Sequence, residues 1–270
     1  MTNLSLELAI IKIGGSLITN KAKPFTLNNE NLQVVVHEIF AIKQIKPDLR
    51  LILINGNGSF GHNTAHKFGT HQGFQDEQGR LGFCWLQKDT AQLNRILVNQ
   101  LVEKQIPAVS FAPGNVFWAK NQQYFHQDLS ILENYLTKNF VPVLYGEAIL
   151  DLKLNCTTIS SDVILYLLAR YFAHHRKFNL NHIINAGNYP GVLDEQQQVI
   201  SRINHHNFAK MKKYLYKSQQ TDISGAMETK IQELLKIAKL NLSTVIIDGS
   251  KPGNLQKVLS NQEFVGTVVD

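Results

Sequence analysis

The 270-residue sequence contains two cysteines, Cys84 and Cys156. They lie far apart and lack the close pairing of a zinc site, so neither a disulfide scaffold nor a structural metal is expected. There is no G-x-x-x-x-G-K-[ST] string, which excludes a P-loop enzyme. No apolar run is long enough to span a bilayer, and a membrane association is not expected. The opening stretch MTNLSLELAIIKIGG lacks a basic leader and its apolar run stops at Lys12. It reads as a first strand rather than a signal peptide, so the expected location is the cytoplasm. Repeats and low-complexity linkers are absent. The formal net charge of +6 is spread along the chain, and the longest basic cluster, Lys210-Met211-Lys212-Lys213, reads as a solvated helix face. A nucleic-acid site would need a basic stripe with interleaved aromatics, so no nucleic-acid partner is expected.

What is present is a globular composition, 44% hydrophobic and 18% charged, in a chain long enough for one large α/β domain. Compact apolar runs read as strands: LAIIKIGG, LRLILIN, PAVSFAP, VPVLYGEAIL, NHIINAG, STVIIDG and VGTVV. Between them, apolar residues at helical spacing predict helices over 31–45, 83–105, 129–138, 161–172, 208–217, 225–240 and 253–259. Strands alternating with helices imply a mostly parallel open sheet covered on both faces, a three-layer αβα sandwich. Residues 69–82, GTHQGFQDEQGRLG, look poorest in regular structure and read as a lid or binding loop. On the following helix, Asp89 is expected to face solvent. Phe83, Trp85 and Leu86 fit either core packing or the wall of an apolar pocket. The pairs His174-His175 and His205-His206 have no third ligand at a convincing spacing.

Open α/β sheets bind ligands at the carboxyl ends of their strands, and four polar signals sit at such ends. Lys12-Ile13-Gly14-Gly15-Ser16 pairs a lysine with glycines whose N–H groups can approach a phosphate; a plain turn beside a surface lysine is the competing reading. Gly56-Asn57-Gly58-Ser59-Phe60-Gly61-His62 turns from a strand into a helix. Thr221 to Lys230 offers Asp222 or Ser224 as a helix cap, a helix N-terminus suited to an anion, and Lys230 about one turn in. Asp248 to Asn254 supplies another loop, with Lys251, for the edge of a nucleotide. Gly56 to Gly61 also spells G-x-G-x-x-G. The dinucleotide reading fails on context: Asp76 and Glu77 are near the right distance for the ribose acid, but they lie in a polar stretch and the next clear strand begins near Pro107.

In order along the chain, IKIGGSLITNK, INGNGSFGH, PAVSFAP, VPVLYGEAILD, ISSDVI, TDISGAMETKIQELL, DGSKPGNL and VGTVV resemble the amino acid kinase superfamily, and within it the isopentenyl phosphate kinases. The G-S-F-G-H string ending at His62, together with Lys21, is the most diagnostic part. The resemblance implies a single domain over 1–270. Its acceptor-binding half would span about 1–175 and its ATP-binding half about 176–270. It implies a homodimer, ATP with Mg²⁺, and a small phosphorylated substrate, with phosphoryl transfer to isopentenyl phosphate giving isopentenyl diphosphate. By that resemblance Lys12, Lys21, His62, Asp162 and Lys230 are catalytic. Lys12 and Lys230 would neutralise the transferring group, Lys21 would contact phosphate, and Asp162 would organise the lysines. Lys12, Gly14, Gly15, Ser16, Gly58, Asn188, Gly225, Ala226, Lys230 and Lys251 would bind ATP. Gly56, Asn57, Gly61, His62 and Ser161 would bind the acceptor. No metal ligands are assigned. A histidine suits this task, because a neighbouring phosphate favours its charged, double-donor form.

Four departures from the family pattern stand out. Asn57 replaces the middle residue of a three-glycine run, and is expected to take a positive φ in its place. Ser161 and Val163 replace the glycine and second acid of S-G-D-D. Asn188-Tyr189-Pro190 replaces an acidic nucleotide-edge segment. Ala226 replaces a glycine. These changes leave two alternatives: transfer to another small phosphate or phosphonate, and a degenerate nucleotide-binding protein.

Overall fold

A computed structural model describes residues 5–20, 22–126, 128–217 and 226–270. In chain order the elements are β1 (Leu6–Ile13), α1 (Gly15–Ile18), α2 (Asn29–Ile45), β2 (Arg50–Asn55), α3 (Gly58–Phe68), α4 (Glu77–Glu103), β3 (Ala108–Ser110), β4 (Phe117–Lys120) and β5 (Gln123–His126). There follow α5 (Ser130–Thr137), β6 (Val141–Tyr145), β7 (Glu147–Asp151), β8 (Asn155–Ile159), α6 (Ser161–Phe172), β9 (Phe178–Gly187), β10 (Arg202–Ile203), α7 (Phe208–Lys217), α8 (Ala226–Ala238), β11 (Thr244–Asp248), α9 (Asn254–Leu259) and β12 (Gly266–Val269).

Eight strands form the main sheet in the order β10-β12-β11-β9-β1-β2-β6-β3. Every neighbouring pair in it is parallel except β11 with β12. Both faces are covered, and β1 shows why its sequence reads as an unbroken apolar run. Leu8 and Ile10 point into one core with Ile164, Leu168, Leu234 and Phe172. Ala9, Ile11 and Ile13 point into the other with Val35, Ile39, Leu97 and Val258. The three-layer expectation holds. None of the helices among the described residues is long and apolar enough to cross a membrane.

Two readings of the sequence need correction. The first concerns 69–82, which is not an extended loop. A single 3₁₀ turn at Thr70–Gln72 follows α3, and α4 begins at Glu77, six residues before the apolar periodicity announces it. Asp76 caps α4, its side chain accepting from the Gly79 N–H at 2.7 Å. Gly69 and Gly73 flank the 3₁₀ turn with positive φ, but Gly79 and Gly82 lie inside the helix for packing reasons: a Cβ at Gly79 would meet Phe74, and one at Gly82 would meet Phe68, each at 2.5 Å.

The second correction concerns VPVLYGEAIL, which is two strands. The chain breaks at Gly146, leaving β6 in the main sheet and β7 in a second, four-stranded sheet ordered β5-β4-β7-β8. That sheet is mostly antiparallel. Its outer strands read as polar, irregular sequence, so nothing in the apolar pattern announced them.

Candidate active site

β1 lies between β2 and β9. The chain leaves β1 toward one side and returns through β9 on the other, which opens a crevice at the carboxyl ends of these strands. A cavity of about 330 Å³ occupies it, lined by Lys12, Gly14, Gly15, Ser16, Gly56, Asn57, Gly58, His62, Ser161, Asp162 and Lys230. These residues come from four separate stretches of sequence and meet in one place.

Lys12 is the penultimate residue of β1 and is almost fully buried. Its Nζ lies 3.2 Å from Oδ1 of Asp162 and 3.5 Å from Oδ1 of Asn185. Asn185, on β9, also donates from Nδ2 to Asp162 Oδ1 at 3.0 Å. Asp162 is held in the first turn of α6, where Ser160 caps the helix by accepting from the Val163 N–H and the acid faces the favourable end of the dipole. Burial pushes the Lys12 ammonium below its ordinary pKa and the Lys230 charge adds to this, while Asp162 opposes both. Burial also acts to raise Asp162, but the Lys12 and Lys230 charges outweigh it and hold the carboxyl below the usual range.

Lys230 stands one turn into α8, and its Nζ donates to the Tyr189 hydroxyl while lying 4.8 Å from the centre of that ring. Two lysines thus converge on Asp162, with Glu233 also on the wall of the cavity, and their ammonium groups are suited to meet an anion. His62, on α3, lines the same cavity and is exposed to it.

The glycines serve loop packing as well as ligand approach. A Cβ on Gly15 would fall 2.7 Å from the Cα of Gly58, and one on Gly56 would fall 2.6 Å from the backbone N of Gly15. The loops after β1 and β2 therefore touch backbone to backbone. The positive φ of this turn belongs to Gly58 (φ +50), while Asn57 has φ −72. The expectation that Asn57 takes a left-handed conformation is corrected: the turn places that demand one residue later.

Gly61 is buried behind the cavity, against Asn57 and Thr90. Asn188 lines an adjoining groove with Ser16 and Thr19, and accepts from Ser16 Oγ at 3.4 Å. Lys251 is exposed in the turn after β11 and does not line the cavity. The N–H groups at the start of α9 are taken by Glu38, which accepts from Gly253 at 2.8 Å and Leu255 at 3.2 Å. Ala226 is the first residue of α8. Lys21, Gly225 and the expected caps Asp222 and Ser224 lie outside the described residues.

Asp89 is not solvent-facing. It is buried and accepts from Thr64 Oγ1 at 2.6 Å, tying α4 to the helix that carries His62. Leu86 is core, while Trp85 is exposed with the Lys88 ammonium 4.7 Å above its ring; neither they nor Phe83 line the cavity. His175 pairs with Glu133 and His205 meets the Leu235 carbonyl, both structural contacts.

Sequence reasoning missed Asn185, Tyr189, Thr229 and Glu233 as cavity or site residues. Asn185 did carry a signal, being a lone polar residue in the apolar run NHIINAG. Tyr189 did too, standing between the two positions, 188 and 190, where the resemblance expects acids.

The amino acid kinase family model matches residues 7–248. The isopentenyl phosphate kinase of Methanocaldococcus jannaschii is 31% identical, over 97% of this chain and 98% of its own length. That of Arabidopsis thaliana is 26% identical over 96% and 94% respectively. A crystal structure of an isopentenyl phosphate kinase superposes with a TM-score of 0.81 at 26% identity, covering 97% of this chain and all of that one. The chain belongs to the amino acid kinase family.

Proposed function

We propose that this protein transfers the γ-phosphoryl group of ATP to isopentenyl phosphate, giving isopentenyl diphosphate and ADP. The observation that carries this reading is a single cavity with Lys12 and Lys230 beside Asp162, and with His62 also on its wall. The names of the similar proteins supply the acceptor.

Phosphoryl transfer asks little covalent chemistry of the protein; positioning and charge stabilisation dominate. ATP would lie over the C-terminal half, about 176–270, with its phosphates on the backbone of Gly14, Gly15 and Gly58 and its edge toward Ser16, Asn188, Gly225, Ala226 and Lys251. The acceptor would enter the N-terminal half, about 1–175, against Gly56, Asn57, Gly61 and Ser161. His62 would donate to the acceptor phosphate and Lys21 would meet phosphate across the reaction centre. Lys12 and Lys230 would hold the charge that spreads over the equatorial oxygens of the transferring group. Asp162 with Asn185 would fix the Lys12 ammonium in that position.

Mg²⁺ would accompany the nucleotide. Among the described residues no three His, Cys, Asp or Glu side chains cluster as a cation cage, so the ion would rest mainly on ATP oxygens and water. Asp162 is engaged with Lys12 and Asn185; Glu233 is paired with Lys236 through Oε1 at 2.6 Å, while its Oε2 is buried beside the cavity with no hydrogen-bond partner. Through Oε2, Glu233 would accept from metal-bound water. A homodimer in the cytoplasm belongs to the same reading.

The test is turnover of isopentenyl phosphate with ATP and Mg²⁺. Product should form with the native protein, and Lys12→Ala and His62→Ala should each lose roughly 100- to 1,000-fold in rate. Robust turnover by both variants would sink the assignment. A second reading, transfer to another small phosphate or phosphonate, is favoured by the side chains of Asn57 and Ser161 where the resemblance expects glycine. Isopentenyl phosphate at the bottom of an acceptor panel would establish it.

A further inference from the structure

The ring and the hydroxyl of Tyr189 have different explanations. The ring is partly buried and packs against the core that holds Leu8, Ile10 and Ile164. A phenylalanine would pack as well, so the hydroxyl needs its own account. The loop that carries it is anchored at both ends. Gly187 closes β9, and its carbonyl accepts from the Gly249 N–H at 2.7 Å. On the far side Pro190 restricts the backbone, Gly191 takes φ +152, and the Val192 N–H donates to Thr267 Oγ1 at 2.8 Å.

This loop lays the phenol end on the cavity wall with Lys12 and Gly14. A Cβ at Gly187 would fall 2.8 Å from the Tyr189 hydroxyl oxygen. Gly187 has no positive φ to explain it otherwise, so its bare backbone leaves room for the phenol. Gly187 in turn adjoins Gly14, where a Cβ would lie 3.6 Å from the Gly187 Cα. Lys230 donates to the hydroxyl. Burial governs the Lys12 pKa, and Tyr189 is near enough to oppose it along with Asp162. The hydroxyl therefore stands among Gly14, Lys12 and Lys230, all assigned above to phosphates. An oxygen that accepts from an ammonium keeps its own O–H to donate, and the neighbouring charge makes that donor stronger.

The geometry points to Tyr189 as a further catalytic residue, its O–H donating to a non-bridging oxygen of the γ-phosphoryl group during transfer. The inference rests on the proposed reaction and gives Tyr189 a part in it. In that step an oxygen of the acceptor phosphate forms a bond to the γ-phosphorus. The bond from that phosphorus to the β–γ bridging oxygen breaks, and ADP departs with the electron pair. Tyr189 keeps its proton throughout and stabilises the charge spread over the equatorial oxygens, with no third cation beside the two lysines.

Single-turnover transfer from ATP to isopentenyl phosphate, with Mg²⁺ and both substrates saturating, compares native protein with Tyr189→Phe. The rate should fall roughly 10- to 100-fold, the loss of one hydrogen bond to a charged group. Binding of Mg²⁺-ADP should stay within about threefold, which also shows that the variant folds. A fluorinated tyrosine installed at position 189, a more acidic phenol, should restore most of the rate and move the alkaline limb of its pH profile to lower pH. Lys12, Lys230, Asp162 and Glu233 also face the cavity, but fluorination does not change their own acidity. An unchanged rate in Tyr189→Phe, or a loss confined to KM, would overturn the inference. Mg²⁺-ADP with aluminium fluoride, a mimic of the transferring group, gives a reading without acceptor turnover. Tyr189→Phe should bind this mimic roughly tenfold or more weakly while binding Mg²⁺-ADP alone as native does; equal binding of the mimic would overturn the inference. Native protein that binds the mimic but spares isopentenyl phosphate would end the proposed acceptor and leave the mimic to decide Tyr189. Native protein that binds no nucleotide would overturn both.

Discussion

Lys12 and Asp162 lie 150 positions apart in the chain and 3.2 Å apart in the cavity. One is near the end of the central strand and the other in the first turn of a buried helix, so the ion pair forms only when both layers are assembled. Asn185 touches both partners and holds their geometry. Removing either charge should therefore register in folding as well as in catalysis.

Asp162→Asn leaves the Lys12 ammonium buried, facing Lys230, with no counter-ion. Burial and the second lysine already press Lys12 toward its neutral form, and the variant removes the opposing influence. Turnover should fall by about 100-fold or more. Breaking a buried pair costs about 3 kcal/mol. The sign with pH follows from Asp162, whose folded pKa is depressed. Its contribution is present above the ordinary carboxylate range and disappears as pH falls through the folded value. Urea unfolding should show the native–variant gap at pH 7 closing on acidification; a pH-independent gap would refute the pairing argument.

Gly15 and Gly14 are neighbours with different tolerances. A Cβ at Gly15 would sit 2.7 Å from the Gly58 Cα, whereas one at Gly14 would meet the Ala186 carbonyl oxygen at 3.2 Å. Gly15→Ala must push the two phosphate loops apart, and a displacement near 1 Å can cost about 100-fold in rate. Gly14→Ala should cost less than about tenfold, since its neighbour has only to yield by a few tenths of an ångström. Steady-state kinetics on the two variants orders them, and equal rates would refute the loop–loop contact.

The parts of this protein legible in its sequence are those with a local cause. Leu8 to Ile13 had to be a buried strand because no polar face interrupts it. The loops after β1 and β2 announced themselves by glycines, and Lys12, His62 and Lys230 by their place beside such loops, whereas Asp162 was marked only by the resemblance of ISSDVI to the family pattern. What was hidden depends on partners distant in sequence. Gly79 and Gly82 read as loop residues because the rings of Phe74 and Phe68 that fill their space cannot be seen from composition. Asp89 read as a surface acid because Thr64, 25 positions earlier, supplies its hydrogen bond. β4 and β5 were invisible because QYFH and FWAK bury only part of their surface.

Tyr189 should be separable into its ring and its hydroxyl. The ring lies under the Lys230 ammonium at 4.8 Å and the hydroxyl accepts from it. Tyr189→Phe keeps the cation–π contact and loses the hydrogen bond, so the KM for ATP should change by less than about threefold, because the incoming phosphates replace the lost partner. Tyr189→Ala removes the support altogether and should raise that KM by roughly tenfold. Identical values for the two variants would show that the ring does not position Lys230.

Glu147 carries a prediction about stability alone. It opens β7, is almost fully buried, and accepts from the Gly114 N–H and the Tyr145 hydroxyl. Burial raises its pKa from 4.5 to about 7, and the two hydrogen bonds only partly oppose this. Between these values the folded protein holds a proton that the unfolded chain has released, so stability falls as pH rises from about 4.5 to about 7. At about 1.4 kcal/mol per pH unit the full effect is about 3 kcal/mol. Glu147→Gln has nothing to titrate, and its carboxamide can still accept from Gly114. Urea unfolding at pH 5, 6, 7 and 8 should show the native protein losing stability across this window while the variant stays nearly level. Parallel slopes in the two proteins would mean that Glu147 is ionised throughout, with its charge met by solvent at the junction of the two sheets.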